Sequence, residues 1–259
     1  MRLQLLSDLH LETEVYTPEP AADAELLVLA GDVDSTWAGL ERFAHWPVPV
    51  LFVGGNHEFD RRELRSAWPA LRARCESLGI TLLEREQHLR TDKAGRRIRF
   101  VATTRWCDFD LFGAAGRERA MRAAGYFMHV MRASCDGRPF DAAAVRDEAL
   151  ACRAWLQQAL AAPTDADATV VITHYGPSLR SVDPRYGEQP GSASFCNADD
   201  ELLPFADLWL HGHLHCRHDY SVEHPPGMPR ARTRVVSNAR GHARKGEAAG
   251  HDGLLCINV

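Results

Sequence analysis

Residues 211–218 read HGHLHCRH and place four histidines within eight positions. Histidine is the commonest metal ligand among protein side chains, because its neutral ring offers a nitrogen lone pair near physiological pH. The chain contains 13 histidines, so this cluster alone is also consistent with a solvated polar stretch. A metal site therefore requires further ligand residues elsewhere in the sequence.

Further candidate ligands follow five short apolar runs: LQLL, LLVLA, VPVLFV, TVVI and DLWL. These runs are near-continuous in Leu, Val and Ile, which is the pattern of strands buried on both faces. In open α/β sheets, ligands bind just beyond the carboxyl ends of the strands. If the strands are parallel neighbours, the polar residues that follow them converge on one rim. These residues are Asp8, His10, Asp32, Asn56, His57, His174, His213 and His215.

The chemistry of this set favours a metal centre. It combines two carboxylates, an amide and several imidazoles and contains no thiolate. Such oxygen and nitrogen ligands suit Mn, Fe, Co, Ni or Zn rather than copper(I) or an iron–sulfur cluster. The side chains are too many for one tetrahedral ion, and about enough for two ions that share a carboxylate. Gly31, Gly55 and Gly212 precede three of the groups and permit tight turns beside a ligand.

Composition is that of an ordinary globular protein of 259 residues, with 45% hydrophobic and 25% charged residues. The formal net charge of −5 provides no general attraction to a nucleic acid, which we therefore do not expect as a partner.

The seven cysteines include no C-x-x-C pair, so free thiols in a reducing compartment are predicted. The apolar run before Asp8 is too short for a signal peptide, and no apolar stretch reaches about 18 residues. We therefore expect a cytoplasmic protein without a membrane span.

Patterns between the strands predict helices at 36–46, at 60–78 with a break near Pro69, and at 113–134 and 141–161. Further strands are predicted at 96–106, 216–223, 232–238 and 253–259. Alternation of strands and helices, followed by strands, favours a single layered α/β domain over residues 1–259. The helical segment at about 113–161 is predicted to be an insertion in this domain, either roofing the site or packing against the core.

Five motifs in order resemble the calcineurin-like metallophosphoesterase superfamily. They are Asp8-Leu9-His10, Gly31-Asp32, Gly55-Asn56-His57-Glu58, the lone His174, and Gly212-His213-Leu214-His215. The resemblance extends from residue 8 to residue 215, and the compact length resembles small bacterial phosphodiesterase-type members. It implies an α/β fold in the form of a four-layer α/β/β/α sandwich of the metallo-dependent phosphatase type.

The same resemblance implies a dinuclear centre and a role for each motif residue. One ion would take Asp8, His10, Asp32 and His215; the other would take Asp32, Asn56, His174 and His213, so that Asp32 bridges them. His57 would act at the leaving group as general acid or charge stabiliser. The implied reaction is hydrolysis of a small phosphodiester, phosphomonoester or nucleotide by a metal-bound hydroxide. The ions would be divalent or trivalent Mn, Fe, Zn or Ni.

Residues outside the motifs carry weaker predictions. Arg105 and Arg240 follow predicted strands and could bind a substrate phosphate through bidentate contacts, the alternative being solvated surface arginines. His211 is either a support for a ligand or a bystander, and His218 is predicted to be solvated. The Pro- and Gly-containing loop at 175–195 is predicted to shape a substrate site.

Two other functions remain open at this point. A member of this superfamily could be a catalytically inert metal-binding scaffold for a protein partner, although a degenerate member should lack ligands and none is missing here. A nuclease is the other alternative, against which the acidic balance argues. The sequence predicts neither the oligomeric state nor the native metal.

Overall fold

The computed structural model describes all residues from 1 to 259. The strands are β1 (Arg2–Leu6), β2 (Leu26–Ala30), β3 (Val50–Val53), β4 (Ile80–Leu82), β5 (Glu86–Thr91), β6 (Arg97–Thr103), β7 (Ser134–Cys135), β8 (Arg138–Pro139), β9 (Ala168–Thr173), β10 (Leu208–His211), β11 (Arg217–Glu223), β12 (Arg232–Asn238) and β13 (Cys256–Asn258). The α-helices are α1 (Leu64–Ser77), α2 (Arg117–Met131) and α3 (Ala142–Ala161).

Two main sheets carry all strands except the short hairpin of β7 and β8. One sheet has the order β13-β1-β2-β3-β4, and the other has the order β11-β12-β10-β9-β6-β5. In the first sheet β1 to β4 are parallel and β13 is an antiparallel edge. In the second, β6, β9, β10 and β12 are parallel, with β5 and β11 as antiparallel edges.

The two sheets pack face to face and are covered by helices on their outer faces. Leu5 and Val28 of the first sheet share one buried cluster with Val170 and Leu210 of the second. Leu29 faces outwards into a second cluster that contains residues of α1 and α2. Val171 and Trp209 pack against Leu156 and Leu160 of α3 on the other side. The expected four-layer α/β/β/α sandwich is confirmed, and it explains why the central strands are apolar on both faces.

Two helix predictions differ from the structure. Helix α1 continues past Pro69 without interruption, because Pro69 lies early in the helix and its missing N–H removes one hydrogen bond, to the carbonyl of Arg65. The segment 36–46 forms a 3₁₀ turn at Ala38–Phe43 rather than an α-helix. There the Asp34 carboxylate accepts the backbone N–H groups of Thr36 and Gly39 at 2.7 and 2.9 Å, which replaces helical pairing. None of the helices has both the length and the hydrophobicity needed to cross a membrane.

The five motifs meet at one edge, but that edge is built by both sheets rather than by one. β1, β2 and β3 end there in the first sheet, and β9 and β10 end there in the second. A parallel bridge between Ser7 and Ala239 joins the two sheets beside this edge. The carboxyl ends of parallel strands from two stacked sheets therefore face one common space.

Candidate metal centre

Two groups of possible ligand atoms share Asp32. The first cluster contains Asp8, His10, Asp32 and His215, and the second contains Asp32, His174 and His213. Within each cluster the ligand atoms lie within 4.8 Å of one another. The Oδ1 atom of Asn56 lies 3.1 Å from Nε2 of His174, beside the second cluster. The structure thus brings all of the sequence-predicted ligand residues together.

In the first cluster two ring nitrogens face each other. Nε2 of His10 lies 3.0 Å from Nε2 of His215. The other nitrogen of each ring faces a carboxylate: Nδ1 of His215 is 2.7 Å from Glu247, and Nδ1 of His10 is 3.4 Å from Glu12. If both Nδ1 atoms carry the proton, the two Nε2 lone pairs point at one another and at Asp8, whose Oδ1 is 3.4 Å from His215. A cation or a proton is needed to make this arrangement favourable.

The second cluster contains acceptors that lack a matching donor when the ring of His174 is neutral. Nδ1 of His174 bonds to the carbonyl of Ala30 at 2.8 Å, which leaves a lone pair on its Nε2 when the ring is neutral. That Nε2 faces the Oδ1 of Asn56 and the Oδ2 of Asp32, the latter at 3.3 Å. The Asp32 Oδ2 atom is buried and has no hydrogen-bond partner. This donor set fits a metal ion, because a buried polar atom without a partner is costly.

The charges of the metal-free clusters shift several pKa values. Burial raises the pKa of Asp8, but the hydrogen bond from His215 and the nearby imidazoles outweigh it and lower it to about 2. Burial alone would lower the pKa of His174 and of His215. The Asp32 carboxylate raises the pKa of His174 to about 9, and Asp8 and Glu247 raise the pKa of His215 to about 9. Without metal, these two rings carry the protons that the acceptors require.

Left-handed backbone turns direct the side chains of the two clusters. The φ angles of five of these residues are positive: 54° at Asp8, 47° at His10, 53° at Asp32, 71° at His213 and 49° at His215. Residues with a Cβ atom rarely adopt this conformation, and it concentrates at functional sites where the surrounding structure enforces it. Backbone bonds hold it here: Asp8 donates to Gly31 at 3.0 Å and His10 donates to Asp32 at 3.1 Å.

Two glycines leave room for the clusters. A Cβ atom at Gly55 would collide with the Oδ1 of Asp32, and a Cβ atom at Gly212 would lie 2.5 Å from the Oδ2 of Asp8. Any larger residue at either position would displace a cluster carboxylate. Both positions require glycine because a cluster carboxylate lies so close to the backbone.

Glu58 is a residue whose role the sequence did not reveal. It is fully buried, and its carboxylate accepts backbone N–H groups from Asp32 at 2.9 Å and Gly55 at 2.6 Å. It also accepts from Val33 at 2.7 Å and Asp34 at 3.3 Å. Glu58 therefore holds the turn after β2 against the turn after β3. Only the G-N-H-E motif itself hinted at a function for it.

Glu247 and His242 are further residues that the sequence analysis missed. Glu247 accepts the N–H of His242 at 2.8 Å in addition to its contact with His215. The ring of His242 stacks on His10 with a centroid distance of 4.5 Å. Both residues follow β12 and lie beyond the last recognised motif. No motif spacing links this segment to the clusters, so no sequence signal marked it.

His57 lies beside both clusters without joining either. Its backbone N–H donates to Oδ1 of Asp32 at 2.8 Å, and its Nδ1 lies 2.9 Å from the Asp60 carboxylate. Burial lowers the pKa of the ring, but Asp32 and Asp60 outweigh it and raise the pKa to about 10. The ring lines the cavity next to the clusters. The contact with Asp60 leaves Nε2 as the nitrogen available to a ligand.

Arg105 is not a substrate-binding residue, which corrects the sequence-based expectation. Its side chain is completely buried and forms a bidentate pair with Asp199 at 2.9 and 2.8 Å, together with a 2.8 Å contact to Asp108. Its remaining N–H groups bond to the carbonyls of Trp106 and Ala149. With every donor occupied inside the protein, none is left for a phosphate.

Arg240 is likewise engaged within the protein. Its guanidinium group bonds to Glu14 at 3.0 Å and to the carbonyl of Gly241, and it stacks over the ring of Tyr16 at 4.8 Å. The residue is only 7% exposed and does not line the cavity beside the clusters. Its expected phosphate contact is therefore not supported, because Glu14 already neutralises its charge.

The remaining histidines of the 211–218 stretch lie away from the clusters. His211 is fully buried, with its Nε2 3.1 Å from Ser181 Oγ and its Nδ1 3.0 Å from the carbonyl of Gly212. His218 is half-buried beside Cys216, at 3.1 Å between Nε2 and Sγ. His211 thus touches no cluster residue directly, and His218 is less solvated than predicted.

Comparisons with known proteins identify a family and similar solved structures. The sequence model of the calcineurin-like phosphoesterase family matches residues 1–217. The solved structure of the phosphopantetheinyl hydrolase from Mycobacterium tuberculosis is similar, with a TM-score of 0.69 and 19% identity over 94% of this chain and 90% of that chain. A dimetal phosphatase from Danio rerio has a TM-score of 0.48 and 12% identity over 92% and 87% of the two chains. No curated protein gives a significant match.

Proposed function

Because the chain belongs to the calcineurin-like phosphoesterase family, we propose that it is a dinuclear metal-dependent hydrolase of phosphate esters. The observation that supports this best is the pair of acceptor-rich clusters joined by Asp32. Two metal sites that share a carboxylate are suited to in-line displacement at phosphorus. A small phosphodiester, phosphomonoester or nucleotide is the proposed substrate class.

We assign Asp8, His10, Asp32 and His215 to one ion, and Asp32, Asn56, His174 and His213 to the other. The nitrogen of His213 that faces the second cluster is Nδ1, since its Nε2 bonds to the carbonyl of Ser194 at 3.2 Å. When bound, two such ions supply charge neutralisation at the phosphate and a lowered pKa for water. The ligand types suit Mn, Fe, Zn or Ni.

His57 is the proposed proton donor. Its ring lines the cavity and is held through Asp60, so that Nε2 can deliver a proton to the oxygen of the departing group. Asp32 and Asp60 favour the protonated form of the ring. The chain itself thus supplies an oriented acid next to the place where a phosphate would bind.

The structural relative from Mycobacterium tuberculosis is named as a phosphopantetheinyl hydrolase. A phosphopantetheinyl group contains a phosphate ester, so it falls within the proposed substrate class. We therefore include a phosphopantetheinyl ester among the substrates to be tested.

The proposal is tested with metal-depleted protein reloaded separately with manganese, iron, nickel or zinc. Bound metal per chain is counted, and bis-p-nitrophenyl phosphate, p-nitrophenyl phosphate and a phosphopantetheinyl ester are assayed. About two ions per chain together with hydrolysis of either ester would support the proposal. Two bound ions without turnover of any ester would favour an inert scaffold, and no bound metal would refute the dinuclear site.

Asp32→Ala provides the matching variant. Removing the shared carboxylate should abolish turnover and reduce the bound metal, because both proposed sites lose a ligand. Asp165→Ala is the control, since Asp165 is an exposed aspartate paired with Arg97 on the surface. Wild-type activity in Asp32→Ala would show that the reaction does not occur at these clusters.

A further inference from the structure

The two clusters open into a large cavity. Its volume is about 820 Å³, and its walls include Asp32, His57, His213 and His215. Cavities of roughly 300–1,000 Å³ typically enclose drug-sized organic ligands. Two metal ions and one phosphate group would occupy only part of this space. The remaining volume is large enough to hold a further part of a bound molecule.

An aromatic path leads away from the clusters along one wall of the cavity. The ring of Phe195 lies 5.0 Å from His213 at an angle of 32°. Phe127 meets Phe195 edge-on at 5.1 Å, and Tyr126 meets Phe127 edge-on at 5.7 Å. Contact between rings is thus continuous from a proposed metal ligand to the outer part of α2.

Helix α2 presents apolar side chains to this cavity. Ala123, Tyr126, Phe127 and Val130 all line it, with the spacing of a single helix face. Tyr126, Phe127 and Val130 remain 72%, 37% and 47% exposed. The same helix buries Ala120, Ala124 and Met131 in the core, and of these three only Met131 also lines the cavity. Tyr126, Phe127 and Val130 are outside this core cluster, and they leave an apolar surface in water.

We propose that this face of α2, together with Phe195, binds a large apolar or aromatic ester group of the substrate while its phosphate lies at the clusters. This inference rests on the proposed function, because the phosphate places the ester group. Two observations favour a substrate group over a separate partner: the apolar face shares one cavity with the clusters, and the aromatic path begins at His213. Esters with a short polar group should therefore be poor substrates.

A series of p-nitrophenyl alkyl phosphate diesters tests this substrate preference. The methyl, butyl and octyl esters release the same p-nitrophenolate, so differences in kcat/KM report binding of the alkyl group. We expect kcat/KM to rise at least about tenfold from methyl to octyl, mainly through a lower KM, because each buried methylene favours binding. A flat series in the wild-type protein would overturn the proposal.

Phe127→Ala and Phe112→Ala form a matched pair of variants. Both phenylalanines are 37% exposed, but only Phe127 lines the cavity. Phe127→Ala should lose most of the gain in kcat/KM from the methyl to the octyl ester. Phe112→Ala should keep the whole gain. Equal losses in the two variants would contradict the assignment of the apolar group to α2.

Direct binding separates failure of this inference from failure of the proposed function. Methylphosphonate and octylphosphonate are titrated calorimetrically against the metal-loaded protein and both variants. Tighter octylphosphonate binding that depends on Phe127, without hydrolysis of any ester, would support the apolar site and refute the enzyme. Equal binding of the two phosphonates, or a Phe127-dependent dimer in sedimentation, would instead refute the substrate site.

Discussion

The imidazoles of the clusters each have one ring nitrogen facing an acceptor. Nδ1 faces the acceptor in His10, His174 and His215, and Nε2 does so in His213. This arrangement fixes the orientation of each ring and directs its other nitrogen into the cluster. Outer partners of this type raise ligand basicity and commonly control metal affinity. The ligating geometry therefore depends on residues that are not themselves ligands.

Glu247→Gln tests this dependence at the residue with the shortest such contact. The carboxylate lies 2.7 Å from Nδ1 of His215, and an amide would keep its size but remove its charge. Metal affinity should fall about 10- to 100-fold, which is the usual effect of losing such a partner. The measurement is the metal dissociation constant by competition with a chelator.

Glu223→Gln is the control for this substitution, since Glu223 is exposed at the end of β11. It should leave the dissociation constant unchanged. Unchanged affinity in Glu247→Gln as well would show that His215 keeps its orientation without a charged partner.

His57→Ala separates proton donation from metal binding. We expect kcat to fall about 10²- to 10⁴-fold, the range for loss of a general acid. The metal content should stay close to that of the wild-type protein, because the His57 side chain belongs to neither cluster. His129→Ala, which removes an exposed histidine of α2, should change neither quantity. Loss of metal from His57→Ala would instead make His57 a ligand or a structural residue.

At the scale of elements, buried ion pairs connect the strand ends to the surrounding chain. Arg105 follows β6 and joins it to Ala149 of α3 and to Asp199 in the segment before β10. This network helps to hold α3 and the 175–199 segment against the second sheet. The loop at 175–195 indeed contributes Val182, Tyr186 and Phe195 to the wall of the cavity.

Arg105→Met should therefore destabilise the fold. It leaves the buried Asp108 and Asp199 without their main cation, a change that typically costs about 3–5 kcal/mol. Urea unfolding of the metal-free protein gives the free energy of unfolding. Arg97→Met, at the other end of β6, removes an exposed pair with Asp165 and should cost less than about 1 kcal/mol. Similar stability of the two variants would contradict the structural role of Arg105.

At the scale of the whole molecule, the protonation of His174 and His215 links folding to pH, and His57, whose pKa is raised to about 10, acts in the same direction. The folded-state pKa values of His174 and His215 are about 9, above the ordinary value of 6.5. Each raised pKa contributes stability that is fully present below pH 6.5 and is lost as the pH rises through about 9. Because a metal ion requires neutral rings, metal affinity should increase over the same interval.

The metal-free protein, kept in chelator, should therefore lose thermal stability between pH 6.5 and about 9. The metal-loaded protein should be more stable at every pH, by an amount that grows with the logarithm of the free metal concentration. It should not lose thermal stability over this pH interval. Thermal unfolding at several pH values, with and without metal, measures both effects. A metal-free stability that rises over this interval would contradict the assigned protonation states.

The sequence by itself determined five of the strands and the polar residues that follow them, which are the proposed metal ligands. Apolar runs predicted β1, β2, β3, β9 and β10, and the polar residues after these strands lie in or beside the two clusters. Such local signals are readable because a buried strand needs apolar residues on both faces and a turn at its end needs small or polar ones.

Only the tertiary structure decided which charged residues contact the two clusters and which are paired elsewhere in the protein. Arg105 follows a strand just as the cluster residues do, but its buried partner Asp199 is 94 positions away. Glu247 lies outside every motif, but the turn after β12 places it 2.7 Å from His215. A charged side chain is available to a ligand only when no partner within the protein neutralises its charge. Whether it has such a partner depends on contacts between distant segments, which local sequence patterns do not show.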